Sequence, residues 1–217
     1  SYVYWLRYFS GRRRVDLPTE DDWEAAATPY PREIRFGHPA QPATWVCFYE
    51  AVAYCRWLSN VSGKRFELPT EDEWEAAARG SSGRHFPFAG PFEGCKANTQ
   101  ESRVRRTTPV GAYPEGATPE DIGPNGTTPG GIHDLSGNVW EWTTSGFELD
   151  PDQLDAFLPA RDTRPDGSND VYRDWPCRVV RGGSWDSDLI CARATFRFMG
   201  GPASRANDLG FRVVMRL

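Results

Sequence analysis

Arg181-Gly182-Gly183-Ser184-Trp185, followed after a spacer by Gly210-Phe211-Arg212, decides how this chain is read. Between the two anchors the regular features are Arg193, Arg197, Pro202 and Arg205. The other positions include Asp186, Ser187, Asp188, Phe196, Phe198, Met199, Gly200, Gly201, Ala203, Ser204, Ala206, Asn207 and Asp208. They mix small, acidic and aromatic side chains with neither helical nor strand periodicity. Fixed arginines carrying unpatterned residues read as a binding face on a rigid frame, because exposed positions are free to vary while the frame must pack. The competing reading is a loop-rich stretch without a partner.

Upstream, Leu17-Pro18-Thr19-Glu20-Asp21-Asp22-Trp23-Glu24-Ala25-Ala26-Ala27 recurs as Leu68-Pro69-Thr70-Glu71-Asp72-Glu73-Trp74-Glu75-Ala76-Ala77-Ala78. Each copy reads as a helix start, with a threonine cap and acidic residues in the first turn. Thr70 with Glu73 fits a capping box. The flanks do not recur, so no solenoid is implied. Phe48, Val52, Cys55 and Leu58 or Ser59 fall at helical spacing and predict a helix over 44–59, with Gly63 beyond its end. From Gly80 to Gly131 the chain is rich in Gly, Pro, Thr and Asn and predicts ordered loops that need staples, either tryptophans or a metal. Val179-Val180, Val213-Val214 and the alternation over 193–198 predict short strands. The sum is one α+β domain over 1–217, with two or three helices, small antiparallel sheets and long ordered loops.

A net charge of -5 and a pI near 5.3 give no basic field for phosphates, so nucleic acid is not an expected partner, and Arg12-Arg13-Arg14 reads as a solvated turn. No apolar run reaches the roughly 18 to 20 residues of a membrane span. Cys47, Cys55, Cys95, Cys177 and Cys191 are odd in number and lack CxxC spacing, against a disulfide framework and a zinc site, leaving room for one stray disulfide. Lysine occurs only at Lys64 and Lys96, and with 18 prolines and 21 glycines this is compatible with a GC-rich, heat-loving source.

Taken together, Leu68 to Gly80, Gly137-Asn138-Val139-Trp140-Glu141-Trp142, Arg181 to Trp185 and Gly210 to Arg212 resemble the formylglycine-generating-enzyme (sulfatase-modifying-factor) family over residues 38–217. The segment 1–37 matches poorly. The resemblance implies a C-type-lectin-like fold. It also implies, for the oxidase branch, two cysteines after the Gly-Gly-Ser turn that bind copper(I), which prefers soft thiolates. Here Ser187 stands at the first position, and Cys191 lies one residue from the second. His38, His85 and His133 are scattered and form no iron site. No copper and no catalysis are therefore expected.

A second branch of the fold, the variable proteins of diversity-generating retroelements, is resembled more closely. That branch implies a variable region over 181–217, with Arg193, Arg197, Pro202 and Arg205 as frame. Its ligand-contacting positions would be Asp186, Ser187, Asp188, Phe196, Phe198, Met199, Gly200, Ser204, Ala206, Asn207 and Asp208. Adenine-directed change of an AAC or AAT codon cannot yield Lys, Glu, Gln or Trp, and none occurs from Asp186 to Asp208; Met199 needs another template codon. The family's calcium loop is resembled by Asp134 to Glu141. This implies an ion held by the Asp134 and Glu141 side chains and the carbonyls of Gly137 and Val139, where hard oxygens suit calcium. The alternative is that both acids make hydrogen bonds or ion pairs while Trp140 and Trp142 fill the core.

The expected function is non-catalytic recognition of a protein or cell-surface molecule. The rivals are a formylglycine-generating-type copper oxidase and a structural module of a larger protein. The expected location is the cytoplasm, or the cell surface if sequence upstream of Ser1 carries it there.

Overall fold

The computed structural model describes residues 3–4, 40–119, 131–147 and 177–216. The first Leu-Pro-Thr copy, the Arg12 to Arg14 run and His38 lie outside them. In chain order the elements are β1 (Val3–Tyr4), α1 (Phe48–Ser62), β2 (Arg65–Glu67), α2 (Glu71–Arg79), β3 (Trp140–Gly146), β4 (Arg178–Arg181), β5 (Phe198–Gly200), β6 (Leu209–Phe211) and β7 (Val214–Arg216).

Both helices begin where a glutamate reaches back to a free amide. In α2 the capping box is complete. Thr70 Oγ1 accepts from the Glu73 amide at 3.2 Å, and Glu73 Oε2 accepts from the Thr70 amide at 2.9 Å. In α1 the Cys47 amide donates to Glu50 Oε2 at 3.0 Å. The helix therefore starts at Phe48, later than the expected Thr44, and Trp45 just before it adopts a left-handed φ of 58° that no helix admits. Gly63 ends α1 with φ 68°, its amide bonded to the Ser59 carbonyl.

Two sheets follow. β1, β7 and β2 form one, antiparallel throughout, with Phe66 opposite Met215. The order β5-β4-β3-β6 forms the other, in which β3 and β6 run parallel, Glu141 beside Gly210, so this sheet is mixed rather than purely antiparallel as expected. β3 carries the larger sheet's two faces in alternation. Trp142 joins the α1 core of Phe48, Ala51, Tyr54, Leu58, Val180 and Phe211, and its indole N–H donates to the Val46 carbonyl at 2.8 Å. Glu141 points to the other face, where Trp74 of α2 packs with Ala77, Ala78, Ile132, Leu135 and Ala194.

The long loops have other staples than tryptophan. Phe86 and Phe88 stack at 5.5 Å with Phe92 against them, and Lys96 sits over Phe88. Asn138, left-handed at φ 66°, accepts from the Thr108 amide and from Asn98, and its own amide donates to the Thr108 carbonyl. All five cysteines are free thiols.

Candidate functional site

The segment from Asp186 to Asp208 is held mainly by its main-chain carbonyls. Buried Arg181, at the end of β4, donates to the carbonyls of Ala194 at 2.8 Å, Thr195 at 3.1 Å and Phe196 at 2.6 Å. That clamp is why 193–197 is not the expected strand, since carbonyls taken by a guanidinium cannot enter a ladder. Pairing begins only at Phe198, opposite Val180. Elsewhere Gln100 takes the carbonyls of Asp186 and Ser187, and Ser136 that of Ala192. The amides of Phe48, Trp45 and Trp140 take those of Pro202, Ala206 and Asp208.

The side chains divide. Asp186, Phe198, Ser204 and Asn207 are exposed, and Asp188, Phe196, Met199, Ala206 and Asp208 are half-buried. Phe196 and Phe198 lie against half-buried Trp140, ring centres 6.1 and 5.4 Å away. Two of the expected contact positions point inward. The hydroxyl of Ser187 meets that of Ser184 at 3.0 Å, and Ser184 in turn donates to Asp208 at 2.8 Å. Gly200 backs onto the buried indole of Trp142, where a Cβ would come within 2.5 Å of ring carbon. Ser187 is thus buried and bonded within the frame, and half-buried Gly200 has no room for a side chain toward Trp142.

The frame arginines also differ from expectation. Arg193 is exposed and its guanidinium has no partner among the described residues. Arg197 pairs with Glu71 at 2.5 Å and Arg205 with Glu50, both at the surface, where such pairs contribute about 0–1 kcal/mol. The buried frame is Arg181 and Arg212, each with no exposed surface. Burial pushes the Arg181 guanidinium below its ordinary range, while Glu71 and Glu75 act to hold its charge. The signal for this role is a charge set inside apolar runs, in Val179-Val180-Arg181 and Phe211-Arg212-Val213.

Around the calcium-like loop the two carboxylates have separate partners. Glu141 lies between Arg212, whose Nε and Nη2 each reach one carboxylate oxygen at 2.5 Å, and the Trp74 indole N–H at 2.6 Å. Asp134 accepts from the Gly111 amide at 2.7 Å, and its carbonyl accepts from Arg212. The Gly137 carbonyl accepts from the Val139 amide. A guanidinium thus stands on the carboxylate that an ion would need, and the four groups as arranged do not fit a shared calcium.

Residues 30–217 match the domain family described as sulfatase-modifying factor enzyme 1-like. Among curated proteins the chain is 33% identical over 186 residues to the inactive C-alpha-formylglycine-generating enzyme 2 of Bos taurus, covering 79% of this chain and 49% of that protein. It is 32% identical over 220 residues to the hercynine oxygenase of Mycobacterium tuberculosis, covering 95% of this chain and 45% of that protein. The chain thus spans about half the length of these relatives. Among solved structures, Treponema denticola variable protein 1 superposes with a TM-score of 0.62 at 21% identity, covering 93% of this chain and 82% of the other. PvdO from Pseudomonas aeruginosa gives 0.61 at 26% identity, covering 100% and 72%. The fold is accordingly α+β and C-type-lectin-like. With its match running from residue 30 through Arg181, Glu141 and Arg212 to the end, the chain belongs to the sulfatase-modifying-factor family.

Proposed function

We propose that this chain is a non-catalytic binding protein, a retroelement-diversified variable protein that presents the outward side chains between Asp186 and Asp208 to a protein or cell-surface ligand. One observation carries the reading: the segment is fixed through its carbonyls, three of them by Arg181, so exposed side chains can change without touching the bonds that hold it. A face ordered before binding avoids the cost of ordering loops on contact. Phe196 and Phe198 over Trp140 supply the aromatic anchors that dominate binding energy.

The donor set gives the copper-oxidase rival little support. Ser187 offers a hydroxyl already bonded to Ser184, where a soft thiolate is needed. Burial, and then Asp188, push the Cys191 thiol up to about 11, which keeps it protonated and a poor nucleophile near neutral pH. The likeness to an inactive relative supports the binding reading, whereas the matches to hercynine oxygenase and to the formylglycine-generating enzyme of Mus musculus favour a catalytic one.

A library randomised at Asp186, Phe196, Phe198, Met199, Ser204, Ala206 and Asn207 tests the proposal. Most members should fold, and selection on immobilised proteins or intact cells should yield binders. In parallel, incubation with copper(I), oxygen and a sulfatase-type cysteine peptide should form no aldehyde by mass spectrometry. Turnover that vanishes in Cys191→Ala overturns the proposal.

A further inference from the structure

Along α1, from Val52 to Asn60, lies a groove of about 490 Å³ that the binding face does not use. Its lining comes from α1 (Val52, Cys55, Arg56, Ser59, Asn60), from the stretch Arg65 to Leu68, and from Thr144 of β3. None of these residues belongs to the 186–208 segment, so the site stands or falls apart from the proposed function.

The floor is apolar, with Cys55, Phe66 and Leu68 3%, 4% and 1% exposed. Most polar groups around it are already engaged. The Ser59 hydroxyl donates to the Cys55 carbonyl at 2.7 Å and accepts from the Phe66 amide at 2.8 Å. Arg65 is held by one oxygen of Glu67 at 2.6 Å, and the other oxygen of Glu67 takes Arg216 at 2.9 Å. Arg56 is different: its guanidinium has no hydrogen bond or ion pair among the described residues. Asn60 follows it at i+4, on the same helix face. The lining therefore carries two guanidiniums against one carboxylate, with the unpaired one beside a planar amide.

Volumes of about 300–1,000 Å³, apolar walls and a few convergent polar groups characterise small-molecule sites. A single guanidinium fork matches a planar carboxylate in two parallel hydrogen bonds. We propose that this groove binds a small carboxylic acid with an apolar body, its carboxylate on Arg56 and Asn60 and its body on Cys55, Phe66 and Leu68.

The test is titration calorimetry on the whole chain with octanoate and phenylacetate, and with octanamide as the uncharged counterpart. Saturable binding of an acid at millimolar concentration, weakened about tenfold or more by Arg56→Gln and unchanged by Phe198→Ala, is the expected result. Thermal melting of each variant checks that the fold persists, which the exposure of Arg56 favours. No saturable binding of either acid, equal binding by octanamide, equal affinity in Arg56→Gln, or displacement by inorganic phosphate at equal concentration would each overturn the assignment.

Discussion

Arg212 grips Glu141 through Nε and Nη2, both at 2.5 Å, with neither residue exposed. Arg212 also donates to the carbonyls of His133 and Asp134, so one guanidinium ties the Gly-Phe-Arg run to β3 and to the loop before it. Breaking a buried pair strands the partner charge, at a cost of about 3–5 kcal/mol. Arg212→Met and Glu141→Gln should each destabilise on that scale in urea, and the double variant should lose less than the sum. Simple additivity would refute the pairing.

That grip also bears on calcium. Because Arg212 occupies both oxygens of Glu141, chelator-treated protein should melt at the same temperature with and without added calcium. An ion binding only the native state raises the melting temperature. Such a rise, lost in Asp134→Ala, would mean that Arg212 yields Glu141 and that the four loop groups close on the ion.

Alanine at Gly200 should be harmful although the position and its neighbours Met199 and Gly201 are only half-buried. Its Cβ would press on the Trp142 ring at 2.5 Å, and such overpacking costs about 1–3 kcal/mol. Ser204→Ala and Asn207→Ala should stay within roughly 0.5 kcal/mol. Equal stabilities in chemical denaturation would remove Gly200 from the frame.

Among the arginines, Arg181→Met should be costly, because it frees three carbonyls and leaves Glu75 with Arg79 as its remaining ion-pair partner. Each buried acceptor left unpaired costs about 1–3 kcal/mol. Arg193→Ala, with no side-chain bond to lose, should match the parent within about 0.5 kcal/mol. The reverse order of melting temperatures would return the frame to the surface arginines.

Acid sensitivity should trace to Arg216. Its hydrogen bond is the main cause that holds Glu67 below the ordinary carboxylate range. At Glu73 burial works upward and is outweighed by Arg216 and the Thr70 contacts. Lowered folded values stabilise above the unfolded pKa of about 4.3, and that stability is lost as pH falls through the folded values. Stability curves of the parent should therefore fall below about pH 4.3, and those of Arg216→Gln should be flatter there. Parallel curves would exclude this origin.

The sequence made α2 and its cap legible because Thr70 and Glu73 act within one turn, and local hydrogen bonds need no knowledge of the rest of the fold. It also pointed to the exposed positions Asp186, Phe198, Ser204 and Asn207. β3 was missed although Trp140-Glu141-Trp142 alternates apolar and polar, because its polar member Glu141 faces a second buried layer rather than solvent and is matched there by the distant Arg212 and Trp74. Ser187 and Gly200 looked variable because small residues leave no pattern, and only the neighbours Ser184 and Trp142 reveal what confines them. Arg181 and Arg212 were visible as anchors, but their long-range partners Glu75 and Glu141 were not.

Carbonyl anchorage has one further effect. Every amino acid, proline included, carries a carbonyl, and one of the anchors is already Pro202. At the exposed anchors Asp186 and Thr195 identity can therefore change, while buried Ala192, Ala194 and Pro202 are confined by packing, and at all of them the spacing is fixed. Inserting or removing one residue between Phe196 and Ala206 would pull either the Arg181 clamp or the Trp45 amide out of step with its acceptor. The segment tolerates new spelling at constant length, and a single-residue deletion should disrupt it more than several simultaneous substitutions.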